Sequence, residues 1–342
     1  MFKEDNRMDG KVVLITGGTG SFGKQCVQMI LERYAVQKLI VFSRDELKQF
    51  EMQQMFPAAE NACLRYFIGD VRDKDRLYRA FSGVDIVIHA AAMKQVPAAE
   101  YNPFEAVKTN IIGAQNVIDA AIDQHVKKVI ALSTDKAANP LNLYGATKLC
   151  SDKIFIAGNA YTGRKVQTIF SVVRYGNVIG SRGSVIPCFL QKRETGVLPV
   201  TDLRMTRFWI TLEQAVNFVC HCLGKMTGGE LFVPKLPSMA IADLATAICP
   251  DCRHEMIGIR PGEKLHEVMI PADESRMVVE FDDYYVIQPD FSFFSKGQMP
   301  MDKCLGAVPD DFEYSSGTNP HFLTVAQMQT LIQPLLKGQK EA

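Results

Sequence analysis

Short apolar runs alternate with longer amphipathic stretches through the first half of the chain. Four stretches have the residue spacing of helices, at about 22–33, 45–55, 103–124 and 143–160. The apolar runs between them are Val12–Ile15, Leu39–Phe42, Arg65–Ile68, Ile86–His89, Val129–Leu132 and Thr168–Val173. Strands that are apolar on both faces and separated by helices are typical of a parallel sheet covered on both sides. The pattern therefore predicts an α/β fold built on a doubly wound parallel sheet of the Rossmann type.

This regular alternation ends after about Tyr175, where glycine and proline become frequent. A helix near 211–224 and a strand over Glu230–Val233 are expected to rejoin the sheet. The remainder, from about 236, has the pattern of a smaller mixed α/β lobe. The predicted boundaries are 1–176 plus about 208–235 for the Rossmann domain, and 177–207 plus about 236–342 for the C-terminal lobe.

Composition narrows the class of protein. The 342 residues are enough for two lobes, and Lys+Arg equals Asp+Glu at 38 each, so net charge gives no reason to expect a nucleic-acid partner. No run of about eighteen apolar residues predicts a membrane span, and the charged N-terminus lacks the apolar core of a signal peptide. The nine cysteines are odd in number and scattered, which predicts reduced thiols and a cytoplasmic location.

Two cysteine motifs are the candidates for a zinc site. Cys249 and Cys252 form a C-x-x-C, and Cys220 and Cys222 flank a histidine upstream. The upstream pair lies in a helical pattern, where residues two apart point in different directions. We therefore expect packing rather than metal binding, and no metal site.

A glycine-rich loop follows the first strand directly and opens a helix. In Gly17-Gly-Thr-Gly-Ser-Phe-Gly23, the glycines allow a tight turn and close approach of a pyrophosphate to the backbone and helix N-terminus. This order of strand, loop and helix predicts a dinucleotide site. The residues assigned to it here are Gly17, Thr19, Gly20, Ser21, Phe22 and Gly23.

The end of the second strand bears on the choice of dinucleotide. Where NAD-binding proteins usually place a carboxylate, this chain has Ser43 followed by Arg44, which suits the 2′-phosphate of NADP. Lys48, one turn on, adds positive charge. Asp45 keeps NAD as an alternative, and Arg44 is alternatively a solvated residue at the start of a helix.

The ends of the next two strands supply further cofactor candidates. Asp70 and Val71 end the third strand, where a carboxylate accepts from the adenine amine or caps the following helix. Ala90 begins a run of three small residues after the fourth strand, as expected where a cofactor lies against backbone.

Tyr144 and Lys148 are four residues apart on one predicted helix and share a face. A nearby ammonium favours the phenolate, so we expect it to lower the pKa of Tyr144 and make a usable base. The same lysine is expected to hold the nicotinamide ribose.

Asp135 and Lys136 lie at the carboxyl end of the fifth strand, beside this pair. Ligands bind at that edge of such sheets, so an added acid and amine suggest chemistry beyond hydride transfer. Alternatively, Asp135 caps a turn and Lys136 is solvent-exposed.

Several stretches together resemble the extended short-chain dehydrogenase/reductase family, and most closely its inverting UDP-N-acetylglucosamine 4,6-dehydratases, which start pseudaminic acid synthesis in bacteria. The resemblance covers nearly the whole chain and is weakest after about 290. The stretches that carry it are 15–23, 42–51, 68–73, 89–94, 132–137, 142–148, 174–178 and 259–267.

The resemblance implies a catalytic cycle. Tyr144 removes the O4 proton of the sugar while hydride passes from C4 to NADP⁺, and the 4-ketone acidifies the C5 proton. Lys136 then removes that proton, Asp135 protonates the departing C6 hydroxyl, hydride returns to C6, and C5 is reprotonated from the opposite face. Related retaining enzymes have Glu after the Asp, so Lys136 favours the inverting branch. To act as a base, Lys136 is expected to have its pKa lowered by burial and by Lys148.

Further residues are assigned to binding. The resemblance places Thr109 and Asn110 near the nicotinamide, and Val178 is also assigned to the cofactor. Lys94 follows the fourth strand and is expected to reach cofactor or sugar. The candidates for UDP-sugar binding are Lys94, Asn177, Arg182, Arg207, Arg260 and Glu263, with Arg207 and Arg260 assigned to the diphosphate and Glu263 to the uridine ribose. Each of these arginines is alternatively a surface residue.

Two other functions stay open at this point. One is a UDP-sugar 4-epimerase or a retaining 4,6-dehydratase on the same fold; a simple epimerase needs no Asp135–Lys136 pair. The other is a non-enzymatic NADP-binding scaffold, against which the intact catalytic residues argue. As in many relatives, a homo-oligomer is expected, with the helices near 103–124 and 143–160 as its interface.

Overall fold

The computed structural model describes residues 7–162, 167–295, 297 and 299–338. Its strands are β1 Val12–Thr16, β2 Lys38–Ser43, β3 Leu64–Ile68, β4 Ile86–His89, β5 Lys128–Thr134, β6 Ile169–Tyr175, β7 Asn177–Val178, β8 Val197–Val200, β9 Thr206–Ile210, β10 Leu231–Pro234, β11 Ser238–Ala240, β12 Arg253–Met256, β13 Val268–Ile270, β14 Val278–Phe281, β15 Tyr284–Ile287, β16 Cys304–Ala307 and β17 Tyr314–Ser315. Its α-helices are α1 Ser21–Arg33, α2 Glu46–Met55, α3 Lys74–Phe81, α4 Val96–Tyr101, α5 Pro103–Val107, α6 Gly113–Asp123, α7 Leu143–Tyr161, α8 Val185–Lys192, α9 Leu212–Lys225, α10 Ile241–Ile248 and α11 Val325–Gly338.

A ten-stranded sheet forms the main layer, in the order β16-β14-β15-β10-β6-β5-β4-β1-β2-β3. The seven strands from β10 to β3 are parallel. Within them, the order 3-2-1-4-5-6 is that of the Rossmann fold, and it reverses direction between β1 and β4. The predicted doubly wound sheet is therefore confirmed. In sheets of this order, ligands bind at the carboxyl ends of the strands beside such a reversal point.

The inner strands that the sequence pattern predicts are buried on both faces, which is why they have no polar alternation; β3, at the edge of the sheet, is buried only at Leu64. All five residues of β1 are buried, and β5 is buried from Val129 to Ser133. Helices α1 and α9 contact each other, as do α6 and α7. Parallel strands covered in this way lose almost all contact with water, which favours the continuous Val, Ile and Leu runs.

A second apolar core lies in the C-terminal lobe. It is built from α8, β8, β9, α10 and α11, with Phe189, Trp209 and Met239 among its fully buried side chains. Trp209 is thus a packing residue. The two cores meet at β9, whose Phe208 packs in the main core while Trp209 packs in the second.

Part of the segment predicted for the C-terminal lobe belongs to the main sheet. Strands β14, β15 and β16 extend the sheet beyond β10 with antiparallel pairing. The sequence pattern did not predict this return, because these strands are short and lie among turns. The division into two domains stays a prediction.

The cysteines differ from the expectation of reduced thiols throughout. Cys249 and Cys252 form a disulfide with Cα atoms 5.3 Å apart, because the end of α10 brings the two side chains together. The other seven cysteines are free. No group of three or more potential metal ligands occurs among the described residues. In the same part of the chain, no helix has the length and apolar character needed to cross a bilayer.

Candidate active site

A cleft of about 950 Å³ runs along the carboxyl ends of the parallel strands and is closed on one side by the C-terminal lobe. Most of the predicted site residues line it. Those that do are Gly17, Thr19, Gly20, Ser21, Phe22, Gly23, Ser43, Arg44, Lys48, Asp70, Val71, Ala90, Lys94, Thr109, Lys136, Tyr144, Lys148, Asn177, Val178, Arg182, Arg207, Arg260 and Glu263. Asp135 and Asn110 lie behind this wall.

The glycine loop between β1 and α1 forms one end of the cleft. Gly17 has a φ of +66°, and a Cβ there would lie 2.8 Å from the backbone nitrogen of Ala91, so glycine is required both by conformation and by space. Helix α1 begins after Gly20 with no side-chain cap, which leaves its first N–H groups facing the cleft. Such a helix start suits a pyrophosphate.

The end of β2 has the polar arrangement that bears on the nucleotide. Ser43 is buried, and the exposed Arg44 side chain has a guanidinium 3.6 Å from Asp70. The Asp45 carboxylate accepts from the backbone N–H of Lys48 as the cap of α2, and Lys48 Nζ lies 2.6 Å from it. These bonds lower the pKa of Asp45, with the Lys48 side chain as the largest cause. The carboxylate is therefore engaged by its own helix.

Asp70 is held in place by its neighbour Arg72, which donates to it from the backbone at 2.9 Å and from the guanidinium at 2.7 Å. Burial opposes its ionisation, but these hydrogen bonds still lower the pKa of Asp70. The alternative role as a helix cap is wrong, because Asp73 caps α3 by accepting from the N–H of Arg76.

The backbone after β4 is fixed by Thr16. Its carbonyl accepts from the N–H of Ala90 at 3.2 Å, and its hydroxyl lies 2.8 Å from Nδ1 of His89. His89 is fully buried, and burial, aided by the Lys148 charge, lowers its pKa to about 3. It is a packed core group.

Thr109 and Asn110 lie on a π-helical turn, Lys108–Ile112, which joins α5 to α6. Asn110 accepts from the N–H of Met93 at 2.8 Å and donates to the Met93 carbonyl and to Thr147. Its amide therefore braces the loop after β4 against α7, whereas Thr109 reaches the cleft. A π-turn of this kind often re-aims side chains at functional sites.

Helix α7 presents Tyr144 and Lys148 to the cleft. Asn142 caps it by accepting from the N–H of Gly145 at 2.8 Å. Gly145 has no room for a Cβ against the carbonyl of Lys136, so this end of the helix packs directly on the loop after β5. The predicted juxtaposition of the two catalytic motifs depends on this close packing.

The pKa of Tyr144 differs from the expectation. Burial of the phenol dominates and raises its pKa to about 12, although the Lys136 ammonium opposes the shift. Lys148 is itself almost fully buried, and desolvation lowers its pKa despite the nearby Asp152 carboxylate. The pairing of Tyr144 with Lys148 alone therefore does not produce the lowered tyrosine pKa that we expected.

A buried ionic network lies behind Lys148. Asp152 accepts from the Ser133 hydroxyl at 2.6 Å and lies 3.6 Å from the Arg174 guanidinium. Arg174 in turn donates to the Met269 carbonyl and contacts Glu274. The network ties β5, β6 and α7 to the C-terminal lobe directly beneath the site.

Asp135 and Lys136 begin a short 3₁₀ turn after β5, capped by the Thr134 hydroxyl. Asp135 is fully buried; its Oδ1 accepts from Lys136 Nζ and from the Thr134 hydroxyl, both at 2.9 Å, and its Oδ2 has no hydrogen-bond partner. Lys136 Nζ also lies 3.4 Å from the Asn177 amide oxygen. The solvent-exposed alternative for Lys136 is therefore wrong.

The expected lowering of the Lys136 pKa is also wrong. Burial does act in that direction, but the Asp135 and Glu267 carboxylates outweigh it and raise the pKa above the ordinary lysine value. Glu267 Oε1 lies 3.3 Å from Lys136 Nζ. Lys148, the expected cause, acts on His89 instead.

The predicted sugar-nucleotide ligands differ in how freely they face the cleft. Desolvation and the Lys136 charge lower the pKa of Lys94. The Arg182 backbone N–H lies 3.4 Å from the Ser21 hydroxyl, which brings the loop after β7 to the start of α1. Arg260 pairs with Glu263, so these two predicted ligands neutralise each other in this structure.

Arg207 is buried and engaged by the protein. It donates to the carbonyls of Thr206, Lys264 and Leu265 and lies 3.6 Å from Glu267. A guanidinium has five N–H donors, and these contacts use most of them. The geometry therefore does not favour the predicted role of Arg207 at a diphosphate.

Sequence reasoning missed Glu267 and Lys264. Both lie in the 259–267 stretch on which the resemblance rests, but their contacts are long-range in sequence. Lys264 donates to the carbonyl of Ala138, and Glu267 contacts Lys136. The sequence feature that pointed to them was the high proportion of charged residues in 259–267, just before the strand β13.

Comparisons with known proteins agree with this geometry. Residues 13–289 match the family model described as Polysaccharide biosynthesis protein. The chain is 57% identical over 328 residues to UDP-N-acetylglucosamine 4,6-dehydratase (inverting) of Campylobacter jejuni subsp. jejuni, covering 94% of this chain and 97% of that one. It is 42% identical over 288 residues to UDP-glucose 4-epimerase of Rickettsia conorii, covering 82% and 83%.

A solved structure extends the likeness to three dimensions. The X-ray structure of Pen from Bacillus thuringiensis superposes with a TM-score of 0.87 at 38% identity, covering 96% of this chain and 99% of that one. The family model, over residues 13–289, spans both the glycine loop and the Asp135–Lys136 turn after β5. The chain therefore belongs to the polysaccharide biosynthesis protein family and is a relative of the inverting UDP-N-acetylglucosamine 4,6-dehydratases.

Proposed function

We propose that this protein is a hydro-lyase that converts UDP-N-acetylglucosamine, with inversion at C5, to UDP-2-acetamido-2,6-dideoxy-β-L-arabino-hex-4-ulose. The observation that carries the proposal is the buried Asp135–Lys136 pair beside Tyr144, at the carboxyl end of β5. The name of the Campylobacter jejuni relative, at 57% identity, supports the same reaction. A simple 4-epimerase has no use for an added acid–base pair at this point.

The residues present fit NADP as the cofactor. Gly17 and the uncapped start of α1 leave room and N–H donors for a pyrophosphate. Arg44, Lys48 and the Ser43 hydroxyl would hold the 2′-phosphate, and Lys148 the nicotinamide ribose. When bound, NADP would supply a hydride acceptor for C4 of the sugar and a hydride donor for C6, so that it is unchanged after one turnover.

Tyr144 is the group in this proposal that takes the proton from the C4 hydroxyl. Its phenol lies in the cleft. Burial raises the pKa of Tyr144, and the Lys136 ammonium opposes that rise. Lys148, one helical turn away on the same face of α7, would hold the nicotinamide ribose beside it.

Asp135 and Lys136 are suited to the elimination of water. Transfer of one proton over the 2.9 Å from Lys136 Nζ to Asp135 Oδ1 converts the ion pair into an amine and a carboxylic acid. The amine then takes the C5 proton, and the proton on Asp135 passes to the C6 oxygen through the Thr134 hydroxyl, which bonds Asp135 Oδ1 and lines the cleft. The C6 oxygen leaves as water. The C5–H and C6–O bonds break, the C5–C6 double bond forms, and the pair returns to its ionic state. This sequence reconciles a raised Lys136 pKa with its role as a base.

The remaining parts of the proposal concern context. The product would enter synthesis of a pseudaminic acid-type sugar. The substrate and cofactor are cytoplasmic metabolites, which supports a cytoplasmic location.

We also propose a homo-oligomer that buries α6 and α7. Its test is the molar mass in solution, measured by light scattering.

The experiment that tests this function is NMR of UDP-N-acetylglucosamine incubated with the purified protein in D₂O. A C6 methyl group, a 4-keto or hydrated centre, deuterium at C5 and L-arabino couplings are expected. A methyl group with D-xylo couplings would leave dehydration but exclude inversion. Formation of UDP-N-acetylgalactosamine without a methyl signal would mean a 4-epimerase. No change with added NADP⁺ or NAD⁺ would favour another sugar nucleotide or a non-enzymatic role.

A further inference from the structure

Glu267 is a carboxylate from the C-terminal lobe that reaches the centre of the site. It is almost fully buried, with Oε1 3.3 Å from Lys136 Nζ and 3.6 Å from Arg207 Nε. Its Oε2 lies 3.9 Å from Lys264 Nζ and has no hydrogen-bond partner. A buried carboxylate is stable only near compensating positive charge, so this side chain is tied to the cations around it.

The backbone of Glu267 is fixed independently of these charges. Its N–H donates to the Ser316 hydroxyl at 2.9 Å, and its carbonyl accepts from the Ser316 N–H at 2.8 Å. The adjacent β13 pairs with β17. The carboxylate is thus held at the cleft by the lobe, whereas Lys136 belongs to the Rossmann sheet.

Lys136 consequently lies between two carboxylates. Asp135 contacts Nζ from its own turn at 2.9 Å, and Glu267 contacts it from the lobe at 3.3 Å. The other charged or titratable groups that face Lys136 are Lys94, Tyr144, Arg207 and Lys264. Three of these four are cations, so the two carboxylates are what keep the Lys136 ammonium in place.

We infer that Glu267 is a positioning residue for the proposed dehydration: it aims Lys136 Nζ and sets the fraction of Lys136 that is available as the C5 base. This inference rests on the proposed function. It assigns Glu267 no contact with the reacting atoms, since Asp135 already supplies the acid. The lobe thereby takes part in the proton chemistry as well as in binding.

The test compares wild type with Glu267→Gln, which keeps the shape of the side chain and removes its charge. The pH dependence of kcat/KM for methyl formation and of C5 deuterium uptake is measured. The Asp135–Lys136 pair needs one shared proton, so deprotonation of Lys136 sets the basic limb of the profile. An opposite charge this close shifts a pKa by roughly 1–3 units, so in Glu267→Gln the basic limb is expected to move to lower pH by about 1 unit or more. The maximal rate is expected to fall on the order of 10-fold, short of the roughly 10²–10⁴-fold that a base itself contributes.

Two further variants make the result specific. Glu267→Asp keeps the charge on a shorter side chain. It is expected to leave the basic limb of the pH profile near its wild-type pH while the maximal rate falls. Glu280→Gln removes the carboxylate of the Lys235–Glu280 pair, away from the cleft, and is expected to match wild type in both. A basic limb that stays in place in Glu267→Gln would reduce Glu267 to a structural role and overturn the inference, as would a wild-type rate.

A second readout separates this inference from the proposed function. The pH dependence of Lys136 acetylation, measured by mass spectrometry of the folded protein, reports the Lys136 pKa without any substrate. A lower pKa in Glu267→Gln supports the inference even if UDP-N-acetylglucosamine is unchanged by wild type. An equal pKa in the two proteins overturns it whatever the substrate is.

Discussion

Lys136 Nζ donates a hydrogen bond of 2.9 Å to Oδ1 of Asp135, whose other oxygen is buried without a hydrogen-bond partner. The pair is therefore internal to the protein on one side and open to the cleft on the other, since the Lys136 side chain is 25% exposed. An acid and a base held in contact exchange a proton without help from solvent, which is what an elimination requires.

Replacing Lys136 by Met is expected to abolish dehydration and to destabilise the protein. The rate of methyl formation should fall by roughly 10²–10⁴-fold, because the C5 base is lost. Two buried carboxylates are also left without their shared cation, which costs about 3–5 kcal/mol in the free energy of unfolding. Urea unfolding and the NMR assay measure the two effects. Lys235→Met, which breaks a half-exposed ion pair, is the control and should cost no more than about 1 kcal/mol.

Removing Arg44 is expected to weaken NADP⁺ binding selectively. A hydrogen bond to a charged group contributes about 1.5–3 kcal/mol, so Arg44→Ala should raise the Kd for NADP⁺ by roughly 10- to 150-fold. The Kd for NAD⁺ should change little, since NAD⁺ has no 2′-phosphate for the 61% exposed guanidinium to contact. Calorimetric titration measures both. Arg204→Ala, which removes an exposed arginine paired with Asp202, is the control; equal loss for both dinucleotides in Arg44→Ala would contradict the assignment.

Gly17→Ala is expected to lose dinucleotide binding and stability together. The left-handed φ costs a non-glycine residue about 1–2 kcal/mol, and the added Cβ would also press on the Ala91 backbone. Gly83 has a similar φ of +73° with nothing within 4 Å of a Cβ, so Gly83→Ala carries the backbone cost alone. The difference between the two variants in urea unfolding isolates the steric term. Equal costs would mean that the loop moves away from Ala91 freely.

His89 is expected to make the protein less stable in mild acid. Its pKa is lowered from 6.5 to about 3 in the folded state, so the unfolded chain takes up a proton as pH falls below about 6.5 while the folded chain does not. Stability from this group is complete above 6.5 and is lost progressively toward 3. Between about pH 7 and pH 5 the loss should be about 2 kcal/mol by linkage.

His89→Gln removes that titration and should flatten the pH dependence by this amount. The free energy of unfolding in urea, measured for both proteins at the two pH values, decides the matter. A wild-type protein whose slope with pH matches that of the variant would show that His89 does not contribute.

The sequence was sufficient for the sheet and for the residues that share one element. Buried parallel strands need continuous apolar runs, so β1 to β6 were evident, and Tyr144 and Lys148 meet because they are one helical turn apart. It was insufficient wherever a side chain's state depends on distant segments. The pKa of Lys136 was expected to be lowered, but the adjacent Asp135 carboxylate and that of Glu267, far along the chain, together raise it.

The same limit applies to Asn110 and Arg207. Each side chain is of a type suited to its predicted role, but its orientation depends on the fold. Asn110 has a useful amide, but a π-turn directs it to Met93 and Thr147 instead of the cleft. Arg207 has a fork suited to phosphate, but the carbonyls of the 264–265 segment occupy it. Neither a π-turn nor a tertiary carbonyl contact has a periodic signal in one sequence.

The Asn142 side chain, which caps α7, also donates to the carbonyl of Gly262 at 2.8 Å, and Lys264 bonds the carbonyl of Ala138. The segment predicted to recognise the nucleotide and the segment predicted to do the chemistry therefore hold each other in shape. Both acceptors are backbone carbonyls, so the coupling depends on the donors, the side chains of Asn142 and Lys264. Replacing either donor by a side chain without an N–H group would therefore loosen the two segments together, and sugar binding and turnover would change as one property.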